Sequence, residues 1–106
     1  MDDMLFKPYL VKPILDGNKT ETRRLWKQSC VKVGSSYKAK TNFSRKSVFA
    51  TIKITYIRKE RLGNIDSNGV KKEGCKSLDE FKRIWIDSYG AWRSDREVFV
   101  IGFRLI

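Results

Sequence analysis

Between Gly17 and Trp26 the chain reads GNKTETRRLW, which puts two hydroxyls, three cations, one carboxylate and an indole into ten residues. A core strand does not fill its positions with charges and hydroxyls. The segment is therefore either an exposed edge strand or one wall of a site. Read as extended, it sends Thr20, Thr22, Arg24 and Trp26 to one face and Glu21, Arg23 and Leu25 to the other. Arg24 carries a planar fork suited to clamping a phosphate or base, and Trp26 beside it is a candidate for stacking on a base. Glu21 and Arg23 are expected to face solvent or to contact a nucleic-acid backbone. Strict alternation would put Lys19 on their face, so Lys19 joins the site only if it sits in the turn before the strand.

Histidine is absent from the chain. That removes Ser-His-Asp and Cys-His mechanisms and the usual catalytic zinc sites. Carboxylates are sparse and scattered, which argues against a two-metal nuclease. Acid–base chemistry must then use Lys, Asp, Glu or Tyr, and no metal or cofactor is expected. Cys30 and Cys75 stand far apart with no Cys-x-x-Cys pair, as free thiols of a reducing cytoplasm would. The acidic start, MDDM, does not resemble a secretory leader, and no apolar run is long enough to span a membrane. The cytoplasm is the expected location.

The charge is uneven. The 106 residues carry 23 Lys plus Arg against 12 Asp plus Glu, a net +11. From Lys7 to Arg61 there are 15 basic and 3 acidic residues; from Leu62 onward the count is 8 against 7. A basic half of this kind favours a polyanion, most simply nucleic acid. No basic amphipathic helix is present to lie on a membrane. Lys38, Lys40, Arg45 and Lys46 join Arg23, Arg24 and Trp26 as candidate RNA contacts.

The elements that must position these residues can be read from periodicity and caps. Met4 to Lys7 is a first strand. Leu10 to Asp16 is a short helix that tolerates Pro13 in its first turn and stops at Gly17. Tyr37, Ala39 and Thr41 alternate with Lys38 and Lys40 in a strand with a basic outer face, and Asn42 to Ser47 reads as a hairpin loop. Val48 to Lys59 is a strand rich in β-branched residues. Arg61 to Gly69, with its Asn68-Gly69 pair, is loop and turn, and Val70 to Gly74 is a helical turn. Ser77 to Glu80 is a capping box that opens a helix with Leu78, Phe81, Trp85 and Tyr89 on one side, ending at Gly90. Glu97 to Leu105 is a last strand, apolar on both faces and therefore central. The sum is a single α+β domain over residues 1–106, with about five or six strands in a small, curved mixed barrel and two short α-helices.

The run Ile14-Leu15-Asp16-Gly17-Asn18-Lys19-Thr20-Glu21-Thr22-Arg23-Arg24 resembles the signature of the ASCH domain family, with Gly17, Lys19, Thr22 and Arg24 matching. Downstream, Lys72-Glu73-Gly74-Cys75, then Ser77-Leu78, Glu80-Phe81 and Trp85 resemble a second motif of that family. The likeness runs from Leu5 to Leu105. It implies a PUA-like barrel and RNA or a modified nucleoside as partner. The sequence leaves the oligomeric state open, with a monomer favoured. Some small members remove the acetyl group from N4-acetylcytidine, and others are described as ribonucleases. Carried over by motif, the resemblance implies Lys19 as proton acceptor, Thr22 as nucleophile, Glu73 as proton donor and Arg24 as substrate holder. Gly74 occupies the ungapped position, so Glu73 takes its role through a one-residue shift, and Cys75 replaces the more usual aromatic.

That chemistry has a physical requirement. A lysine acting as base must be neutral part of the time, and lowering a free pKa of about 10.4 by roughly 3 units takes about 4 kcal/mol. Arg23 and Arg24 push in that direction by like-charge repulsion. A charged Glu73 would oppose them, so it works best protonated or paired with an arginine. The alternatives are a metal-independent ribonuclease acting on single strands and a non-catalytic RNA-binding module.

Overall fold

The structure, a computed structural model, describes residues 3–106. Met1 and Asp2, half of the acidic start, lie outside the described residues. In chain order the strands are β1 (Asp3–Leu5), β2 (Glu21–Arg24), β3 (Ser36–Lys40), β4 (Val48–Arg61) and β5 (Glu97–Leu105). The helices are α1 (Val11–Leu15), α2 (Ser67–Lys72) and α3 (Leu78–Tyr89).

The apolar run of β5 does what its two-faced pattern requires. It lies between β4 and β2 in a sheet ordered β1-β3-β4-β5-β2, and Val98 to Phe103 are all buried. One face, through Phe99, Ile101 and Phe103, packs with Ile52, Ile54, Ile14, Phe6 and Tyr37. Val98, from the other face, packs with Leu62, Val70, Phe81 and Trp85. Each such side chain contributes about 1.5–3 kcal/mol by leaving water. Strand β4 serves both halves. It pairs with β3 over Val48 to Lys53 and with β5 over Ile52 to Arg61, and a register shift between Ile54 and Tyr56 lets it turn from one to the other.

The fold is mixed α+β, with β1 parallel to β3 and the remaining pairs antiparallel. The expected barrel is corrected in one respect. β1 and β2 are the two ends of the strand order and no ladder joins them, so the sheet is open among the described residues. A side chain bridges the ends instead: the Arg24 guanidinium donates to the Leu5 carbonyl at 2.8 Å.

Helix α3 follows its signals. Ser77 accepts the Glu80 N–H at 3.1 Å, Gly90 closes the helix at φ 85°, and Phe81 and Trp85 are buried. Glu80 reaches back one residue further than expected, to the Lys76 N–H. Pro8–Leu10 forms a 3-10 turn ahead of α1, so the α-helix begins at Val11 rather than Leu10. Helix α2 overturns the loop expected around Asn68-Gly69. The Asp66 side chain caps it through the Gly69 N–H at 2.7 Å. Gly69 is needed there for space, because a Cβ would stand 2.8 Å from the Arg23 Nη2. No helix among the described residues is long and apolar enough to cross a membrane.

Candidate functional site

Lys19 sits in the turn before β2. Its N–H bonds to the Pro13 carbonyl at 2.9 Å, and the next N–H, of Thr20, bonds to Lys72 at 2.7 Å. The residue is therefore pinned between the ends of α1 and α2, in an isolated antiparallel bridge with Glu73. Gly74 allows this closeness. It has φ +82°, and a Cβ on it would lie 3.0 Å from that of Lys19.

Lys19 is 3% exposed. Its Nζ donates to Glu73 Oε1 at 2.7 Å, to the Glu21 carbonyl at 2.8 Å and to the Glu73 carbonyl at 3.3 Å. These acceptors engage all three ammonium hydrogens. The second Glu73 oxygen accepts from Arg23 Nη1 at 3.0 Å, and the same nitrogen reaches Glu21 Oε1 at 2.9 Å. Arg23 Nε and Nη2 both donate to Glu60 Oε1, and Arg58 holds Glu60 Oε2. Tyr56 donates its phenolic O–H to Glu21. Three cations and three carboxylates thus form one paired cluster, buried at Lys19, Glu21, Arg23 and Glu73 and reaching the surface through Glu60 and the exposed Arg58.

The pKa shifts follow from this packing. Burial would lower Arg23, but Glu73, Glu60 and Glu21 outweigh it and raise it. Burial would raise Glu60, but the hydrogen bonds and charges of Arg58 and Arg23 hold it below the usual carboxylate range. Burial and the Glu21 carboxylate push Tyr56 up to about 12.

Lys19, Arg23 and Glu73 of this cluster also reach a pocket of about 350 Å³, whose polar wall they share with Thr22 and Arg24. Phe6, Leu10, Phe81, Trp85 and Tyr89 supply much of the remainder. Thr22 is buried, and its Oγ1 accepts from Arg24 Nε at 3.1 Å. No acceptor for its own hydrogen is found among the described residues. Arg24 is half-buried and lies 4.9 Å over the Phe6 ring. It has no carboxylate partner among the described residues. Burial pulls its pKa down, with Tyr89 and Glu73 opposing, and the group stays charged. Arg24 is thus a half-buried cation in a pocket, with no carboxylate paired to it among the described residues.

No family model and no curated protein matches the chain. Solved structures do. Protein EF3133 from Enterococcus faecalis, described with the family model DUF984, superposes with TM-score 0.75 at 17% identity, over 100% of this chain and 76% of that one. The ASCH domain from Lactobacillus crispatus gives 0.69 at 15% identity, over 98% and 77%. ASCH from Zymomonas mobilis gives 0.68 at 15%, over 95% and 64%. The chain has the ASCH-domain fold. In that fold only some of the expected residues meet at the pocket.

Lys19, Thr22, Arg24 and Glu73 come together on the pocket wall of the ASCH fold. Arg23 reaches the same wall but is 4% exposed and fully paired, which corrects its expected solvent or backbone-contact role, as burial corrects that of Glu21. Trp26 is half-buried with its ring 6.2 Å from that of Phe99, away from the pocket lining. Lys40 is buried and paired with Asp3 at 2.9 Å, because a register shift after Ala39 takes it off the outer face. Lys38, Arg45 and Lys46 are exposed and outside the pocket lining. Sequence reasoning missed Glu60, Tyr56 and Arg58 altogether. One usable signal existed: Asp16, Glu21 and Glu60 are the only acids between Lys7 and Arg61, and two of them hold Arg23.

Proposed function

We propose that the pocket takes a nucleobase and hydrolyses an exocyclic amide on it, with N4-acetylcytidine as the substrate class. The observation that carries this reading is the convergence of Lys19, Thr22, Arg24 and Glu73 on one wall of a roughly base-sized pocket with aromatic side chains around it. The Lys19 proton passes to Glu73 along the 2.7 Å contact, leaving a neutral amine and a carboxylic acid. The amine turns to Thr22 and takes its hydroxyl proton as Oγ1 attacks the acetyl carbonyl. Arg24 faces the oxyanion. Collapse breaks the C–N bond, and Glu73 returns its proton to the departing nitrogen. Cytidine leaves, acetyl stays on Thr22 until water removes it, and the Lys19–Glu73 pair is again ionic. Arg23 holds the second Glu73 oxygen throughout.

The test is release of cytidine from N4-acetylcytidine, followed by chromatography. Lys19→Ala and Thr22→Val are each expected to lower turnover at least about a hundredfold, with circular dichroism checking that both remain folded. No cytidine from the wild-type protein at high concentration would overturn the reading. The Arg24 guanidinium, with no carboxylate partner among the described residues, also suits a phosphate, which favours binding or cleavage of single-stranded RNA as the second reading. Cut fragments from labelled RNA in the presence of chelator would select cleavage, and salt-dependent binding without cutting would select a binding module.

A further inference from the structure

We propose that the loop between β3 and β4 is a stacking platform, centred on Phe43, for a nucleotide flanking the one held in the pocket, so that the preferred ligand is single-stranded RNA. The inference rests on the nucleobase reading of the pocket and adds the strand to it. Phe43 is 88% exposed, the most exposed of the large hydrophobic residues among those described. A single surface phenylalanine needs no explanation by itself. Here the backbone around it is built. Ser47 Oγ donates to the Asn42 and Ser44 carbonyls at 2.9 and 2.7 Å and accepts the Asn42 N–H at 3.2 Å. Asn42 Oδ1 accepts the Ser44 N–H at 2.8 Å, and Ser44 Oγ accepts that of Lys46 at 3.2 Å. The side chains of Asn42, Ser44 and Ser47 thus hold the loop in one shape that keeps the ring in water. With its backbone so held, the loop has little freedom of its own to lose when a base stacks on the ring, and only the two side-chain torsions of Phe43 remain to be ordered.

The surroundings select an anionic strand. Arg45 and Lys46 follow the ring, exposed and without ion pairs among the described residues, and Lys38 stands on the outer face of β3. From Thr22 to Lys59 the sequence holds 11 Lys and Arg and no Asp or Glu. The loop leaves from the edge of the pocket, because Thr41, two residues before Phe43, is part of the lining. Aromatic face, flanking cations and a base pocket in sequence are what a single strand with splayed bases fits. A free nucleoside, being neutral, would use none of the cations.

The test compares an eight-nucleotide single-stranded RNA, by fluorescence anisotropy, with free cytidine, by calorimetry. Phe43→Ala is expected to weaken the oligonucleotide about 5- to 100-fold and to leave cytidine binding and the salt slope unchanged. Arg45→Ala with Lys46→Ala should flatten the log–log salt slope by about 1.4. Oligonucleotide affinity unaltered by Phe43→Ala would overturn the platform. So would Phe43-dependent capture by phosphatidylserine vesicles with no binding of RNA. Phe43-dependent RNA binding without release of cytidine from acetylcytidine keeps the platform and removes the hydrolase. Release of cytidine with Phe43-independent RNA binding does the reverse.

Discussion

Replacing Arg23 by methionine tests whether the buried ion cluster holds the site together. Arg23 is the hub: its guanidinium touches Glu21, Glu60 and Glu73 at 2.7 to 3.0 Å, and Glu21 and Glu73 are buried with it. Removing one partner of a buried pair costs about 3–5 kcal/mol, because a charge is left without compensation. Three carboxylates lose a partner here, but each keeps another. Glu73 keeps Lys19, Glu60 keeps Arg58, and Glu21 keeps the Tyr56 hydroxyl. The loss therefore stays near one pair's worth, about 4 kcal/mol, rather than three times that. For a domain whose total stability is on the order of 5–15 kcal/mol this is a large fraction.

The pH dependence has a definite sign. Glu60 is held low in the folded protein by Arg58 and Arg23 against the opposing effect of burial. A carboxylate depressed in this way contributes stability above its unfolded value, about 4.3, and that contribution is lost as pH falls through the lower folded value. Without Arg23, Glu60 is less depressed and has less to lose in acid. The gap between the two proteins is thus full above about pH 5 and narrows below it. Urea unfolding followed by tryptophan fluorescence at pH 7 and pH 4 measures both quantities. Arg23→Lys, which keeps the charge but not the fork, is expected between the two. A loss under about 1 kcal/mol at pH 7, or a gap of the same size at pH 4, would refute the argument.

Two further substitutions or reagents probe other parts of the same structure. Gly102→Ala puts a Cβ 2.1 Å from a Tyr56 ring carbon, and the ring cannot yield without releasing Glu21; a loss of about 3 kcal/mol is expected by thermal unfolding, and one below about 1 would count against the packing. Burial, with Glu73 adding and Lys19 opposing, pushes the Cys75 thiol up to about 11, whereas Cys30 is exposed. An aromatic disulfide reagent at pH 8 should therefore modify Cys30 first, with Cys75 slower than an ordinary thiol by roughly two-hundredfold from its thiolate fraction alone, and equal rates for the two would contradict the buried setting.

What was legible in the chain is what local physics decides. Alternation and β-branching marked β4 and β5, the Ser77 cap marked the start of α3, and Gly17 marked the turn that holds Lys19. What was not legible depends on partners distant in sequence. Alternation sorts β2 into two faces but does not say that both are covered. Thr22 and Arg24 line the pocket, while Glu21 and Arg23 meet Tyr56 and Glu60, thirty-five or more residues away, with Arg23 also reaching the pocket wall. A charged face reads as solvated because burying charges is costly. It is the exception when opposite charges arrive together in number. Lys40 misled for a related reason: a single register shift moves a residue to the other side of a strand, and no residue type announces it. The rarity of acids in the basic half was the better guide. Where cations are plentiful and carboxylates few, each carboxylate that remains is costly to lose. That Glu21 and Glu60 both close on Arg23, which in turn holds Glu73 against Lys19, ties the geometry of the pocket wall to carboxylates outside the pocket lining.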